Sequence, residues 1–189
     1  MYEVEVKFSV ADPAGLRRRL ADLGGRPGTP HEQSDRYYAH PCRDFAATDE
    51  ALRLRRDADR VVVTWKGPRI DAATKTRREI ELPLGDAGED PVTTLGRWHE
   101  LLAALGFHAV REVRKRRTPF SLEWRGAAVE VALDEVAGLG TFAELEQQAD
   151  ASGLAAARDR LEDLARHLDC GQRERRSYLE LLLAGDGRR

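Results

Sequence analysis

Tyr2-Glu3-Val4-Glu5-Val6-Lys7-Phe8 alternates without a break. Tyr2, Val4, Val6 and Phe8 fall on one face of an extended chain, and Glu3, Glu5 and Lys7 on the other. Successive side chains of a strand point to opposite sides, so a period of two predicts a strand with one apolar and one ionised face. The rule recurs downstream. Arg53 and Arg55 alternate with Leu52 and Leu54, Thr64 and Lys66 with Val63 and Trp65, and Glu79 and Glu81 with Ile80 and Leu82. Lys115 and Arg117 share a parity, as do Glu130 and Asp134, and Glu144 and Glu146. An antiparallel sheet with one wet face also alternates. A merely wetted face, however, mixes Ser, Thr, Asn and Gln with charges of both signs. Here the polar face is nearly all ionisable and sorted by strand: acids on the first strand and around Asp134–Glu146, bases on Arg53–Arg55, Lys66 and Lys115–Arg117. A sheet covered by helices on its apolar side can curl until its charged side becomes the lumen of a barrel.

The remaining elements fit that architecture. Asp12-Pro13 supplies a cap and a first-turn proline, Leu16, Leu20 and Leu23 follow at helical spacing, and Gly24-Gly25 ends the run. Short strands are expected at Asp35–Ala39, Ala51–Arg56, Arg60–Gly67 and Arg77–Leu84, then a helix over Pro91–Leu105 stopped by Gly106. Strands resume at Ala109–Phe120, Ser121–Arg125, Ala128–Glu135 and Thr141–Gln147. Ser152 is expected to cap a long amphipathic helix carrying Leu154, Leu161, Leu164 and Leu168, and a last short helix carries Tyr178, Leu179, Leu182 and Leu183. Trp65 and Trp124 should point out towards covering helices, and Trp98 should anchor a core. The predicted fold class is α+β: a closed antiparallel barrel of about eight strands with three or four helices outside. Residues 1–184 form one domain and 185–189 a disordered tail.

The bulk properties exclude several roles. The 189 residues hold 31 Lys and Arg against 33 Asp and Glu, a net charge of −2, without the basic surplus of a nucleic-acid binder. Cys42 and Cys170 have no partner at metal-ligand or disulfide-framework spacing. No leader and no run of about 18 apolar residues is present, so the expectation is a cytoplasmic protein that does not enter a membrane. The five histidines lack mutual metal spacing and read as surface or packing residues. A homodimer is plausible, although no interface is legible.

A lumen with both signs of charge asks for a ligand that uses both. Clustered carboxylates suit a hard divalent cation, Mg²⁺ or Mn²⁺, and several Arg and Lys suit a phosphate chain. Phosphoryl chemistry needs mainly positioning and charge stabilisation, so no nucleophilic Ser or Cys is required. Gly24-Gly25 and Gly138-Leu139-Gly140 lack the spacing of a phosphate-cradling loop, and side chains must grip the phosphates instead.

A resemblance runs nearly end to end. Glu3-Val4-Glu5-Val6-Lys7 resembles the ExExK signature of the CYTH superfamily, the triphosphate tunnel metalloenzymes. Gln33-Ser34-Asp35-Arg36-Tyr37-Tyr38-Ala39-His40-Pro41 resembles its QxDxYYxxP, Leu52-Arg53-Leu54-Arg55 its LRxR, and Thr64-Trp65-Lys66-Gly67 its Lys-Gly strand. Arg77-Arg78-Glu79-Ile80-Glu81 resembles RxExE, and Val113-Arg114-Lys115-Arg116-Arg117 resembles VxKxR. The stretch from Asp134 to Glu146 resembles DxVxxLGxFxExE, and Ser177-Tyr178-Leu179-Glu180-Leu181-Leu182 resembles the SYxxLL close.

The resemblance implies a single CYTH domain over 1–184, in which Glu3, Glu5, Asp134, Glu144 and Glu146 are metal ligands or their immediate support. Lys7, Arg53, Arg55, Lys66, Lys115 and Arg117 would hold the phosphates of a small-molecule triphosphate, Arg77, Glu79 and Glu81 would line the tunnel, and Arg176 would add a further basic contact. Tyr37 and Lys66 would activate water in a triphosphatase, whereas Tyr38 is expected to pack in the core. Members include class IV adenylyl cyclases of the CyaB type, thiamine triphosphatases and inorganic triphosphatases. Ala51 stands where the vertebrate thiamine enzyme carries a stacking Trp, which weakens the thiamine reading. The implied activity is therefore most like the CyaB-type cyclase, with triphosphate hydrolysis and non-catalytic polyphosphate or nucleotide binding as alternatives.

Overall fold

The computed structural model describes residues 2–69, 77–86 and 88–186. The elements run β1 (Tyr2–Ser9), α1 (Pro13–Asp22), β2 (Arg26–Pro27), β3 (His31–Ala39), β4 (Ala51–Asp57), β5 (Arg60–Arg69) and β6 (Arg77–Leu84). They continue with α2 (Pro91–Ala104), β7 (His108–Trp124), β8 (Ala127–Val136), β9 (Gly140–Ala149), α3 (Leu154–His167) and α4 (Tyr178–Asp186). The strand order β7-β3-β4-β5-β6-β1-β9-β8 closes on itself through a β7–β8 pairing, so eight antiparallel strands make the predicted barrel. The two-residue β2, not expected from the sequence, is an outlying ninth strand on β7.

Closure follows from long, well-registered pairings. β1 pairs with β9 from Tyr2↔Ala149 to Ser9↔Phe142, and β8 with β9 from Glu130↔Glu146 to Val136↔Gly140. The described part of the β1–β6 seam is the Glu3↔Arg77 pair. Where two strands were expected over 109–125, β7 is a single strand of 17 residues. Phe120↔Val131 and Ser121↔Glu130 continue the ladder across the expected break without changing parity. Pro119 is accommodated there at the junction between β2 and β3, where its carbonyl accepts from Gly28 N.

The apolar core lies outside the barrel wall rather than within it. Val4, Val6 and Phe8 of β1 pack with Val129, Val131 and Leu133 of β8 and Leu145 of β9, under Leu16 and Leu20 of α1 and Leu161 and Leu164 of α3. A second cluster places Tyr38 and Leu54 under Leu102 of α2, with Trp98 packed against it. The cap read for α1 behaves as expected, the Asp12 side chain accepting from Gly15 N, and α2 proves to be capped in the same way by Asp90, which accepts from Thr93 N. The start of α3 differs. Gly153 holds its N-cap position without a side-chain cap, and Ser152 Oγ instead donates to Asp150, which also accepts from Gly153 N. Helix α4 runs through Asp186, two residues into the expected tail, and 187–189 lie outside the described residues. Trp124 points to a helix as expected, donating to Asp163 of α3, but Trp65 donates to Glu50 in the β3–β4 connection.

Because Leu161 is fully buried between α3 and the barrel wall, Leu161→Ala should lower the unfolding free energy by about 2–5 kcal/mol. Urea denaturation would measure it; a loss under about 1 kcal/mol would show that α3 contributes little to holding the wall.

Candidate active site in the barrel lumen

Inward parity brings the charged faces of separate strands into one cavity of about 810 Å³. Going round the barrel, β7 contributes Lys115 and Arg117, β3 Asp35 and Tyr37, β4 Arg53 and Arg55, and β5 Lys66. Then β6 contributes Arg77, Glu79 and Glu81, β1 Glu3, Glu5 and Lys7, and β9 Glu144 and Glu146. One arc is predominantly basic and the opposite arc acidic. The sequence pattern predicted both signs in the lumen; the strand order adds their division into facing walls.

Within the acidic arc, Glu3, Glu5 and Glu146 each offer a carboxylate oxygen, all within 4.8 Å of one another. Three carboxylates so close are costly when ionised together. Burial, reinforced by Glu79 and Glu5 against the pull of Lys66 and Arg53, pushes Glu3 up to about 7. Burial, with Glu5, Glu3 and Glu144 outweighing Arg117, pushes Glu146 up to about 8. An all-oxygen, multiply acidic cluster of this kind fits a hard divalent cation.

The other two expected metal-site acids stand apart from that trio. Asp134 is fully buried and does not line the cavity. Its Oδ1 accepts from Arg117 Nε at 2.7 Å, and its Oδ2 from Arg117 Nη2 and Lys115 Nζ, both at 2.7 Å, and from Tyr178 Oη at 3.0 Å. Glu144 lines the cavity but accepts from Arg117 Nη2 and lies 3.9 Å from Lys115 Nζ. Both acids are therefore bonded to bases rather than grouped with the trio.

Carboxylates hold the bases, Asp35 and Asp134 each serving two of them. Asp35 Oδ1 accepts from Arg55 Nε at 2.6 Å, and its Oδ2 from Arg55 Nη2 at 2.7 Å and Arg53 Nη1 at 3.3 Å. Against the effect of burial, Arg53 and Arg55 hold the Asp35 carboxyl well below the usual carboxylate range. Burial and neighbouring Arg117 push Lys115 down, although Glu144 and Asp134 oppose them. Lys66 Nζ donates to Glu79 Oε1 at 2.5 Å. Lys7 is 1% exposed, and its Nζ lies 3.8 Å from the centroid of the Tyr178 ring.

An apolar cluster of Tyr37, Val113, Val136 and Phe142 packs beneath Tyr178 of α4. Tyr37 is buried, which pushes its hydroxyl up, and its charged neighbours include Arg53 and Asp35. Its expected partner Lys66 lies two strands away on β5, ion-paired to Glu79. Tyr38 packs outward as expected, with Oη 3.0 Å from His99 Nδ1. Arg176 departs from expectation: it is exposed, does not line the cavity, and its guanidinium binds Glu174.

Several residues escaped the sequence reading. The β3–β4 connection lines the cavity mouth with Pro41, Phe45 and Asp49, opposite Leu179, Glu180 and Leu183 of α4. Arg69 ties these walls together, donating from Nε and Nη2 to Asp49, lying 3.6 Å from Glu180, and reaching the Arg175 carbonyl. Asp49 itself adopts a left-handed backbone, φ 54°. A register shift between β3 and β7 at Tyr37/Tyr38 accompanies Val110, a 44% exposed apolar residue, at the same mouth. The unequal charge placement was visible in the sequence; these contacts between distant segments had no local signal.

The comparisons agree on the family. The CYTH domain profile matches residues 1–178. A protein of Methanocaldococcus jannaschii, whose name assigns it provisionally to the adenylate cyclases, is 34% identical over 184 residues, covering 96% of this chain and 98% of that one. The solved structure of a Pyrococcus horikoshii OT3 protein is 40% identical with a TM-score of 0.84, covering 97% of this chain and 99% of that one. A Vibrio parahaemolyticus structure, provisionally named an adenylate cyclase, is 25% identical with a TM-score of 0.78, covering 96% and 98% of the two chains.

The raised carboxyls give a pH signature. In the folded state Glu3 and Glu146 keep protons to higher pH than the ordinary glutamate value of 4.5. The native state therefore binds more protons than the unfolded chain, and stability falls as pH rises from about 4.5 towards about 8. Thermal melts in EDTA between pH 5 and 9 should show that decline, Mg²⁺ should reverse it, and Glu146→Gln should flatten it. A melting temperature that rises across this range in EDTA would contradict the crowding of the trio.

Proposed function

The chain belongs to the CYTH domain family, and from that premise we propose that it is a divalent-metal-dependent adenylate cyclase of the CyaB type, converting ATP to cyclic AMP and pyrophosphate. The observation that carries the reading is the pair of opposed walls in one lumen, three grouped carboxylates facing an arc of bases. Glu3, Glu5 and Glu146 would hold Mg²⁺ or Mn²⁺, with Glu144 and Asp134 as support. When bound, the cation supplies charge neutralisation at the phosphate oxygens. Lys7, Arg53, Arg55, Lys66, Arg77, Lys115 and Arg117 are the residues proposed to hold the triphosphate.

For cyclisation the ribose 3′-oxygen attacks the α-phosphorus, the bond from that phosphorus to the α–β bridging oxygen breaks, pyrophosphate leaves with that bonding pair, and the 3′-hydroxyl proton passes to water. What this chain contributes is orientation and countercharge. Bases fixed by carboxylates bind the phosphate chain without reorganising as charge moves onto the leaving pyrophosphate. The mouth supports a nucleotide in particular: Phe45, Val110, Leu179 and Leu183 give a partly apolar wall suited to a purine, beside the charged lumen. Inorganic tripolyphosphate would leave that wall unused.

Triphosphate hydrolysis is the second reading. It is favoured by Tyr37 and Lys66 both lining the one lumen, although two strands apart and with Lys66 paired to Glu79. A non-catalytic binding module would have no use for a carboxylate trio kept at the cost of mutual repulsion. We assign residues 1–184 to one catalytic domain, since the barrel closes only with strands from both halves of the chain. No helix among the described residues is long and apolar enough to cross a membrane, and Cys42 and Cys170 are unbridged, which supports a cytoplasmic site.

Product analysis with ATP, thiamine triphosphate and tripolyphosphate, each with Mg²⁺ or Mn²⁺, separates the readings. Cyclic AMP with pyrophosphate is expected from ATP; orthophosphate alone would replace the cyclase with a hydrolase. Excess EDTA should abolish turnover, and turnover that persists in it would remove the metal from the account. Arg55→Ala should raise KM for the triphosphate by about tenfold or more through loss of charge-assisted bonds. An unchanged KM would remove Arg55 from the phosphate grip.

A further inference from the structure

Asp35 and Asp134 sit on different strands, yet each is built into the same local device. Each is essentially buried, 2% and 0% exposed. Each lies beside a strand carrying two bases at i and i+2: Arg53 and Arg55 on β4 for Asp35, Lys115 and Arg117 on β7 for Asp134. In both cases the second base, an arginine, places Nε and Nη2 on the two carboxylate oxygens at 2.6–2.7 Å. In both the first base adds one bond to Oδ2, from Arg53 Nη1 at 3.3 Å or Lys115 Nζ at 2.7 Å. Such a two-point fork fixes the plane of a guanidinium, which a single contact does not.

We propose that Asp35 and Asp134 are paired positioning residues, each locking two bases of the lumen in a fixed orientation for an incoming phosphate chain, and that neither is a cation ligand. The inference rests on the proposed phosphate-binding role of those bases. A carboxylate has about four lone-pair sites. Asp134 already accepts four bonds, from Arg117 twice, Lys115 and Tyr178, and Asp35 accepts three. A cation at Asp134 would have to compete with its full set of donors, and one at Asp35 with two arginines for a single remaining site, whereas Glu3, Glu5 and Glu146 already bring their oxygens together. The two devices lie on strands that flank or form the basic arc, so two fixed grips are presented to one polyanion. Tyr178 extends the second device to α4, bonding Asp134 through Oη while its ring faces Lys7 and Lys115.

The test separates anion from cation binding on the full chain. Titration calorimetry would follow tripolyphosphate without metal, and Mn²⁺ alone, for the wild type, Asp35→Asn, Asp134→Asn and Glu146→Gln. Asp35→Asn and Asp134→Asn should weaken tripolyphosphate about tenfold or more and leave Mn²⁺ affinity within about twofold; Glu146→Gln should lose Mn²⁺. Arg117→Lys keeps the charge but removes the fork to Asp134 together with the bond to Glu144, so it should weaken tripolyphosphate at least comparably, and Asp134→Asn should add little on top of it. If Asp134→Asn does not fold, Arg117→Lys and Arg55→Lys decide, because each leaves the carboxylate in place. Tripolyphosphate affinities within twofold of wild type for the lysine variants, or Mn²⁺ lost from Asp134→Asn as from Glu146→Gln, would overturn the inference. Failure of the wild type to bind tripolyphosphate would instead overturn the phosphate-binding role itself.

Discussion

A barrel that turns its charged face inward cannot rely on bulk water to screen that face, and each lumenal charge must be answered within the protein or by a ligand. Burying a single unpaired ion costs several kcal/mol, about as much as many whole domains have to spare. The chain meets this constraint in two ways. On the basic arc, Asp35 and Asp134 neutralise and orient bases from neighbouring strands. On the acidic arc, Glu3, Glu5 and Glu146 lie close together, and burial with mutual repulsion raises Glu3 and Glu146 above the ordinary glutamate value.

That asymmetry explains the rest of the architecture. With the lumen committed to charge, the apolar core must form on the outer wall, which is why α1, α2 and α3 pack outside on the alternate residues of the strands. Closure through β7–β8 then serves both ends: it leaves no free edge at that seam, and it holds the two arcs opposite each other. The apolar cluster under Tyr178 fixes α4 on the barrel, and the β3–β4 connection and α4 shape the mouth. Preorganised charge of this kind stabilises a phosphoryl transition state without waiting for side chains to turn.

Most strand and helix positions were legible because parity and caps are local. Val4, Val6 and Phe8 announce an outward apolar face from their spacing alone, and Asp12-Pro13 announces a helix start. The misreadings occurred where tertiary contacts override local pattern. The 17-residue β7 continues past the expected break because β8 pairs with it throughout, and α3 starts at Leu154 because Asp150, rather than Ser152, bonds the Gly153 amide. Arg69 could not be singled out, since its partners Asp49 and Glu180 are 20 and 111 residues away in sequence.

The sequence by itself determined which residues share a strand face, that this face is ionised, and, through its motifs, the family to which the chain belongs. Only the tertiary structure decided which acids meet. Glu3, Glu5 and Glu146 come together because β1 and β9 are neighbours in the barrel with Glu5 opposite Glu146, whereas Asp134, of the same chemical type, is claimed by Arg117, Lys115 and Tyr178. The physical reason is range. Side-chain direction alternates residue by residue along a strand, but distances between strands depend on register and closure, which no local stretch of sequence encodes.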